Sequence, residues 1–563
     1  MRKVLNKARS AFDELTDSHF ISQKPPSQAD QPSTIGPPST QDLLRYRYHW
    51  GTNLGSIFVL ERWLSGSMFV SSANGDSELA AVTAAVQDLG VDRTKAKWEE
   101  HWRNAVREPD LEWLVREARC TSIRLPIGYF TLGEEWCRGT PFESVGCVYR
   151  DAWEAVRDLV ARARGWGIGV LLDFHFVFGG ANGEAHGCGD GRADLWGNKN
   201  NRERCKQALG WIASQAKQMD GVVGIQIVNE ATHNASGMYQ FYEEVITEIA
   251  RYDESMPVYI SDAWDLKTAL DWTTRRHPFS RAPKNPVLID THRYYTFSDE
   301  DRRKSPQQII GAIGAELGEL DGKEGSLGDR GEAQIIIGEW SCVLDDQTWS
   351  RVRPEQKDDL VTQFGRCQSQ KWQKRSGGSY FWTYKMDWMD GGEWGFVEQS
   401  KKHNIVPPPS LTLPLQEVRN RLQHAGAQRQ QMADSARQSH ENYWNQTAPG
   451  KPFQHQLFSD GWDIGFSDAH MIFGMRCEGA LGPRPAAGEG GDRIGCLEIW
   501  VKKRLLESGQ RGEFVWEWEQ GLRAGVGDFN QCVGKKASKK VIMGGRAQYG
   551  KVHWKYFDTD IDF

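Results

Sequence analysis

The chain has 563 residues and a formal net charge of −6, from 69 Lys plus Arg against 75 Asp plus Glu. Hydrophobic residues make up 39% and charged residues 26%, which allows a sizeable core under an ordinary surface. The charge balance excludes a basic nucleic-acid footprint, and no apolar run of about eighteen residues spans a bilayer as a helix.

The first residues, MRKVLNKARSAFDELTDSHF, lack the apolar stretch of a secretory signal. A cytoplasmic chain with reduced thiols is therefore expected, and because the ten Cys contain no CxxC pair, zinc-ribbon and thioredoxin readings lose their spacing. The sequons at Asn234 and Asn445 are then without consequence. Residues 22–41 are rich in Pro, Ser and Gln, so residues 1–44 are expected to form a flexible arm and linker.

From residue 45 the pattern changes. Short β-rich runs occur at 46–55, 121–127, 168–174, 222–228, 257–262, 287–292, 333–340 and 379–385. Near-continuous apolar character marks strands buried on both faces, as in a parallel sheet. Amphipathic helical stretches lie between them, at 111–120, 147–167, 205–218 and 238–252. Eight strands alternating with helices predict an α/β fold, a (β/α)8 TIM barrel over 45–405. A doubly wound sheet would want G-x-G-x-x-G after the first strand, and GTNLGS does not supply it. VPPPSLTLP (406–414) then breaks the pattern. A polar helix is expected over 415–445, followed by aromatic-rich helices around a Gly-rich loop at 479–495. Residues 406–563 are thus read as a C-terminal helical extension packed on the barrel, with KKASKK (535–540) a solvated run.

A parallel barrel presents its active site at the C-terminal ends of its strands. In strand order these ends carry Asn53 with Glu61 in the next loop, Arg124, Asp173 with His175, and Asn229 with Glu230. Asp262 follows, then Asp290, His292 and Tyr294, then Glu339, and finally Trp382 and Lys385. Glu230 and Glu339 end apolar runs at strands four and seven, which face each other across a barrel. Paired carboxylates at such a place are suited to glycosidic-bond cleavage, and a separation of about 5–5.5 Å gives retention. Glu230 is read as acid/base, with the higher pKa, and Glu339 as nucleophile. Tyr294 could donate to Glu339, Arg124 could keep it charged, and Asn229 could bind the sugar 2-hydroxyl. Strand alternation is taken to turn Asp173 and Asp290 away from His175 and His292, as structural groups.

At these residues the sequence resembles glycoside hydrolase family 5 of clan A, in its fungal exo-β-1,3-glucanase branch. The resemblance rests on GTNLGSIFVLERWL, IRLPIGYF, LLDFHFVFGGANGEAHG, IQIVNEATHN, DTHRYYTF, IIIGEWSCVL and YFWTYKMDWMDGGEWGF, in the family's order. It implies Glu230 as proton donor and Glu339 as nucleophile, without a cofactor. It also implies a terminal-sugar subsite built by Glu61, Arg124, His175, Asn229, His292, Tyr294 and Trp382. DFHFVFGGAN and the following loop, with His186 and GCGDG, depart from the branch where they border the pocket. The substrate implied is a β-glucoside or β-glucan, with a glycolipid such as steryl glucoside or glucosylceramide as the alternative. Trp394, and with it Trp388, is placed at the acceptor side. Trp63, Trp102, Trp113, Trp166, Trp211, Trp516 and Trp518 are assigned to packed helices.

Two other classes are weighed. A metal-dependent barrel hydrolase would use Asp173, His175, Asp262 and His292, but strand one offers no HxH. A carbohydrate-binding protein without catalysis would not need both glutamates.

Overall fold

The structure is a computed structural model that describes residues 35–187, 189, 191–276, 283–327, 331–482 and 489–534. Residues 1–34 of the expected arm, the KKASKK run and Cys188 and Asp190 of GCGDG lie outside the described residues.

The eight runs form one closed parallel barrel in the order β1 to β8. The strands are β1 (His49–Asn53), β2 (Ser122–Gly128), β3 (Gly169–Phe176), β4 (Val222–Gln226), β5 (Val258–Ser261), β6 (Val287–Tyr295), β7 (Ile335–Leu344) and β8 (Gly378–Phe381). Outward residues such as Ile123, Leu125, Val170 and Leu172 pack under the helices in the larger core. Helices Ala152–Gly165 and Met238–Ala250 lie within the predicted stretches, whereas Lys199–Ala216 begins more than a turn before residue 205. The 147–167 stretch begins instead with 3-10 turns over Glu143–Tyr149. β8 stops at Phe381, so Trp382 leaves the sheet for the rim.

The inward residues are graded along the axis. At the N-terminal mouth, Leu171, Val223, Tyr259, Leu288, Ile336 and Tyr380 share a second core with the C-terminal helices. One step up lie Asn53, Arg124, Asp173, Gln226 and Asp290, all buried and polar. Above them are His175, Asn229, His292 and Glu339. Apolar side chains thus plug the base, and charge is confined to the upper half of the lumen.

The C-terminal segment forms helices Leu415–Thr447, His455–Met475, Leu497–Ser508 and Val515–Gly534. Phe458, Trp462, Phe466, Trp500 and Trp518 bury against the base of the barrel. The Tyr48 N–H donates to Arg493 O, and the Glu498 N–H to Gln334 Oε1, so the extension is stitched to the ends of β1 and β7. Lys502 pairs with Glu332 there at 2.7 Å. The extension therefore closes the mouth opposite the catalytic rim.

One expectation is corrected here. The end of the arm is not free: Thr40–Tyr46 is a helix with a Ser39 capping box. Leu43 and Leu44 are buried in the base core. The Pro/Ser/Gln signal ends before this short apolar turn, and tertiary burial of two Leu outweighs the composition of the segment before it.

Candidate active site

The NE turn after β4 sets Glu230 in place. Its φ is 41°, in the left-handed region that costs a non-glycine residue about 1–3 kcal/mol. Neighbours fix this backbone. Asn182 Nδ2 donates to Glu230 O at 2.9 Å, and the Ala231 N–H donates to Ser261 Oγ at 3.1 Å. The Glu230 carboxylate is thereby aimed over the lumen.

Glu339 reaches the lumen through a register shift. Thr291 pairs with Ile337 and the next residue, His292, pairs with Glu339, so Gly338 is an extra residue in β7. A Cβ on Gly338 would lie 1.9 Å from Asp290 Oδ1. The IIIGEW motif therefore needs its glycine for the close approach of Asp290.

Both oxygens of Glu339 are held. Arg124 Nη1 donates to Oε1 at 2.9 Å and the Tyr294 hydroxyl to Oε2 at 2.8 Å. Arg124 is fully buried, and its fork organises the whole layer. It donates to Asn53 Oδ1 at 2.8 Å, Gln226 Oε1 at 3.0 Å and Asn229 Oδ1 at 2.7 Å, and pairs with Asp173 at 3.0 Å. Desolvation opposes the guanidinium charge there. Asp173, Asp290 and Glu339 outweigh it and raise the Arg124 pKa. Because Asn229 Oδ1 is taken by Arg124, its Nδ2 faces His175 Nε2 at 3.2 Å.

His292 sits between the two glutamates. Its Nδ1 lies 2.8 Å from Glu230 Oε1 and 3.5 Å from Glu339 Oε2, and its Nε2 lies 3.1 Å from Asp290 Oδ2. Burial disfavours its charge, but Glu339, Asp290 and Glu230 prevail and hold the imidazole well above its usual pKa. Burial likewise pushes Glu230 up, yet the His292 hydrogen bond and charge pull it down to about 2. The expected high pKa at Glu230 is therefore corrected: the contact with His292 lowers it. Its carboxylate and the His292 imidazolium form one hydrogen-bonded pair.

A second chain of contacts runs from β3. His175 Nδ1 lies 2.6 Å from Asp173 Oδ2, and His175 Nε2 lies 2.9 Å from His186 Nδ1. His186 Nε2 is 3.6 Å from Glu230 Oε2. Burial, with His186 and Arg124 nearby, holds His175 neutral. Burial also pushes Asp173 up to about 7. The reading of Asp173 and Asp290 as turned away is corrected: each is two residues from its histidine, and a period of two puts both on one face. Each orients the imidazole above it.

Trp382 is buried beside the pocket and stacks on His175, with ring centres 6.3 Å apart. Trp394 lies 5.8 Å from the Tyr294 ring. Glu61 accepts from Trp63 Nε1 at 2.9 Å, and burial pushes its carboxyl up to about 7. Glu230, Glu339 and His186 are among the charges it senses. The structure thus gathers the residues that the motifs singled out for the pocket, and all but two of those at the strand ends. It does not gather Lys385, which pairs with Asp110 at 2.7 Å, or Asp262, which accepts from the Thr291 hydroxyl at 2.6 Å. Asp173, His175, Asp262 and His292 accordingly do not form a convergent ligand set among the described residues.

Sequence reasoning missed part of the site. Gln226 bridges Arg124 and Asp290, and its signal was a lone polar residue inside the VVGIQIV run. Trp63 belongs to the rim and not to a packed helix, being 41% exposed beside Trp394 and Trp388 at 5.4 and 6.2 Å. Trp264 and Phe297 are also exposed at the rim, against His292 and Tyr294 respectively. No periodicity marks these loop aromatics.

Comparison with known proteins agrees with this architecture. Residues 82–383 match the family model "Cellulase (glycosyl hydrolase family 5)". Residues 425–533 match "Glucan 1,3-beta-glucosidase 3 C-terminal domain". Glucan 1,3-beta-glucosidase 3 of Schizosaccharomyces pombe is 30% identical over 495 residues, covering 86% of this chain and 95% of that protein. An uncharacterized glycosyl hydrolase of Saccharomyces cerevisiae is also 30% identical, over 504 residues, with 87% and 92% coverage. The crystal structure of rutinosidase from Aspergillus niger covers 64% of this chain and 99% of its own, with TM-score 0.50 and 16% identity, a likeness of fold. No helix among the described residues is long and apolar enough to cross a membrane. With its barrel, its rim motifs and relatives matched over most of their length, the chain belongs to glycosyl hydrolase family 5 and is an O-glycosyl hydrolase.

Proposed function

We propose that the chain is a retaining β-glucosidase of exo-β-1,3-glucanase type. The observation that carries this is the spacing of its acids. One oxygen of Glu230, one of Glu339 and a nitrogen of His292 lie within 4.8 Å of one another. That leaves no room for a water on the far face of a sugar, as inversion requires, and matches the close pair used for double displacement.

In the first step Glu339 attacks the anomeric carbon and the bond to the leaving oxygen breaks. The proton for that oxygen comes from the Glu230–His292 pair. Shifting the Nδ1 proton across the hydrogen bond leaves Glu230 a carboxylic acid and His292 neutral, still bonded to Asp290 through Nε2. In the second step Glu230 takes a proton from water, the hydroxide oxygen bonds to the anomeric carbon, and Glu339 departs as carboxylate. Arg124 and Tyr294 fix the nucleophile throughout. Asn229, turned by Arg124, presents its amide to the 2-hydroxyl, where a hydrogen bond strengthens as charge develops.

The exo character is supported by the rim. Trp388 Nε1 donates to Trp63 O at 2.6 Å and the Asp387 N–H to Leu64 O at 2.7 Å, tying the loops after β1 and β8 into a wall beside Glu61. The name of the S. pombe relative supports a β-1,3-glucan as substrate. A second reading, an apolar aglycone, is favoured by Trp264, Phe297, Trp388 and Met389, which are 54, 61, 44 and 47% exposed. The test is a hydrolysis panel of laminaribiose, laminarin, gentiobiose, cellobiose, steryl glucoside and glucosylceramide, with the first-formed anomer followed by NMR. β-Glucose released first from laminaribiose supports the proposal. α-Glucose rejects retention. Turnover confined to the lipid glucosides selects the second reading.

A further inference from the structure

The helical extension holds a cluster that the hydrolase reading does not use. His440 lies on the Leu415–Thr447 helix, His455 opens the His455–Met475 helix, and Glu517 sits in the first turn of the Val515–Gly534 helix. These helices close the base of the barrel, so the cluster lies at the opposite end from Glu230 and Glu339. We propose that it is a zinc site, with His440 Nε2, His455 Nδ1 and Glu517 Oε2 as its protein ligands.

The geometry carries this. The three ligand atoms lie within 4.8 Å of one another. His440 Nε2 is 2.9 Å and His455 Nδ1 3.1 Å from Glu517 Oε2. Tetrahedral bonds of about 2.0–2.2 Å set ligand atoms about 3.3–3.5 Å apart, so each histidine nitrogen need withdraw from Glu517 Oε2 by only a few tenths of an ångström to admit an ion. Three chain segments supply one ligand each, two nitrogens and one oxygen, a donor set suited to Zn2+ with a fourth position for water. Glu517 is fully buried and His440 nearly so, whereas the His455 side chain keeps 19% of its surface exposed and leaves a way in.

An outer layer is also in place. Glu517 Oε1 accepts the Gln454 N–H at 2.8 Å, which leaves Oε2 for the ion. His455 Nε2 faces Asn445 Oδ1 at 3.3 Å, the contact that directs Nδ1 toward a metal. His440 is locked by stacking on Phe458 at 4.1 Å, and Trp444 and Trp516 stand around it. The alternative occupant of the same gap is a pair of imidazole protons on Glu517, and the two are separable by experiment.

The test uses the full chain, stripped with a chelator that is then removed, and titrated with Zn2+ by calorimetry and with Co2+ by visible absorption. The expected result is one saturable equivalent whose Co2+ spectrum is tetrahedral and is displaced by Zn2+. Zinc should raise the melting temperature by mass action. His440→Gln and Glu517→Gln should abolish that equivalent. Should either fail to fold, Asn445→Ala, at an exposed outer position, should weaken it about 10–100-fold. Glu339→Gln should leave it unchanged, because that residue belongs to the other end of the barrel. Absence of a saturable equivalent overturns the proposal, as does binding that survives the His440 and Asn445 changes or disappears with Glu339→Gln. Hydrolysis should persist in the chelated chain, so a failed zinc test leaves the glycosidase reading standing.

Discussion

His292 Nδ1 lies 2.8 Å from Glu230 Oε1, and this contact makes two titratable groups behave as one. The imidazole is further anchored through Nε2 to Asp290, so it can give up its Nδ1 proton without turning. Stability should follow the pair. Its Glu230 part, lowered from 4.5 to about 2, is present above pH 4.5 and is lost as pH falls toward 2. Its His292 part, with a raised pKa, is complete below pH 6.5 and is lost as pH climbs through the folded value. Denaturant titrations across pH should therefore show His292→Asn most destabilised relative to the parent between pH 4.5 and 6.5. A constant difference across that window and beyond it would remove the pair from the account.

Glu339→Gln should lower hydrolysis of an aryl β-glucoside by on the order of 10³ or more, since the proposed double displacement forms its covalent intermediate on Glu339. The fold should persist. Arg124 keeps Asp173 at 3.0 Å and Asp290 at 3.6 Å as counter-charges when the carboxylate becomes an amide. Turnover near that of the parent would reject Glu339 as nucleophile.

Glu230→Gln should act selectively. Poor leaving groups should slow by about 10²–10⁴, the usual share of general acid catalysis, while dinitrophenyl glucosides should slow far less in the first step. A Brønsted plot of rate against leaving-group pKa reads this directly. Equal losses across the series would mean that Glu230 does not deliver the proton.

Arg124→Leu should cost about 3–5 kcal/mol in urea unfolding, because it strands buried carboxylates without their counter-charge. Arg124→Lys should cost less but still lose most activity, since an ammonium cannot reach Asn53, Gln226, Asn229 and Glu339 together. Wild-type kinetics in the Lys variant would show that charge alone suffices.

Trp388→Ala and Trp264→Ala should raise KM with little change in kcat for substrates whose aglycone reaches the rim. The loss of one aromatic contact is about 0.5–1.5 kcal/mol, roughly two- to tenfold in KM. Aryl glucosides with short aglycones should be nearly unaffected. A matching change in both substrate sets would place these rings outside the acceptor side.

The sequence by itself determined the barrel and the two glutamates. Eight apolar runs at helix-length intervals leave few other ways to bury both faces of each strand, and NE and GEW stand at strand ends whatever the loops do. Alternation also carried Asp173 and Asp290 onto the faces of His175 and His292, although counting two residues is needed to see it. Only the tertiary structure decided the rest. Arg124 draws Asn53 from β1, Gln226 and Asn229 from β4 and the turn after it, and Glu339 from β7, up to 215 residues apart in the chain, into one network. Glu230 is anionic there because His292 arrives from β6, and no local pattern reports a charge brought by another strand. The aromatic surplus divides in the same way. Trp462, Trp500 and Trp518 are core because helices fold beneath the barrel, and Trp63 is rim because a loop after β1 meets one after β8. Composition counts such rings, but the hydrophobic effect is non-directional, and only the closed chain assigns each ring a side.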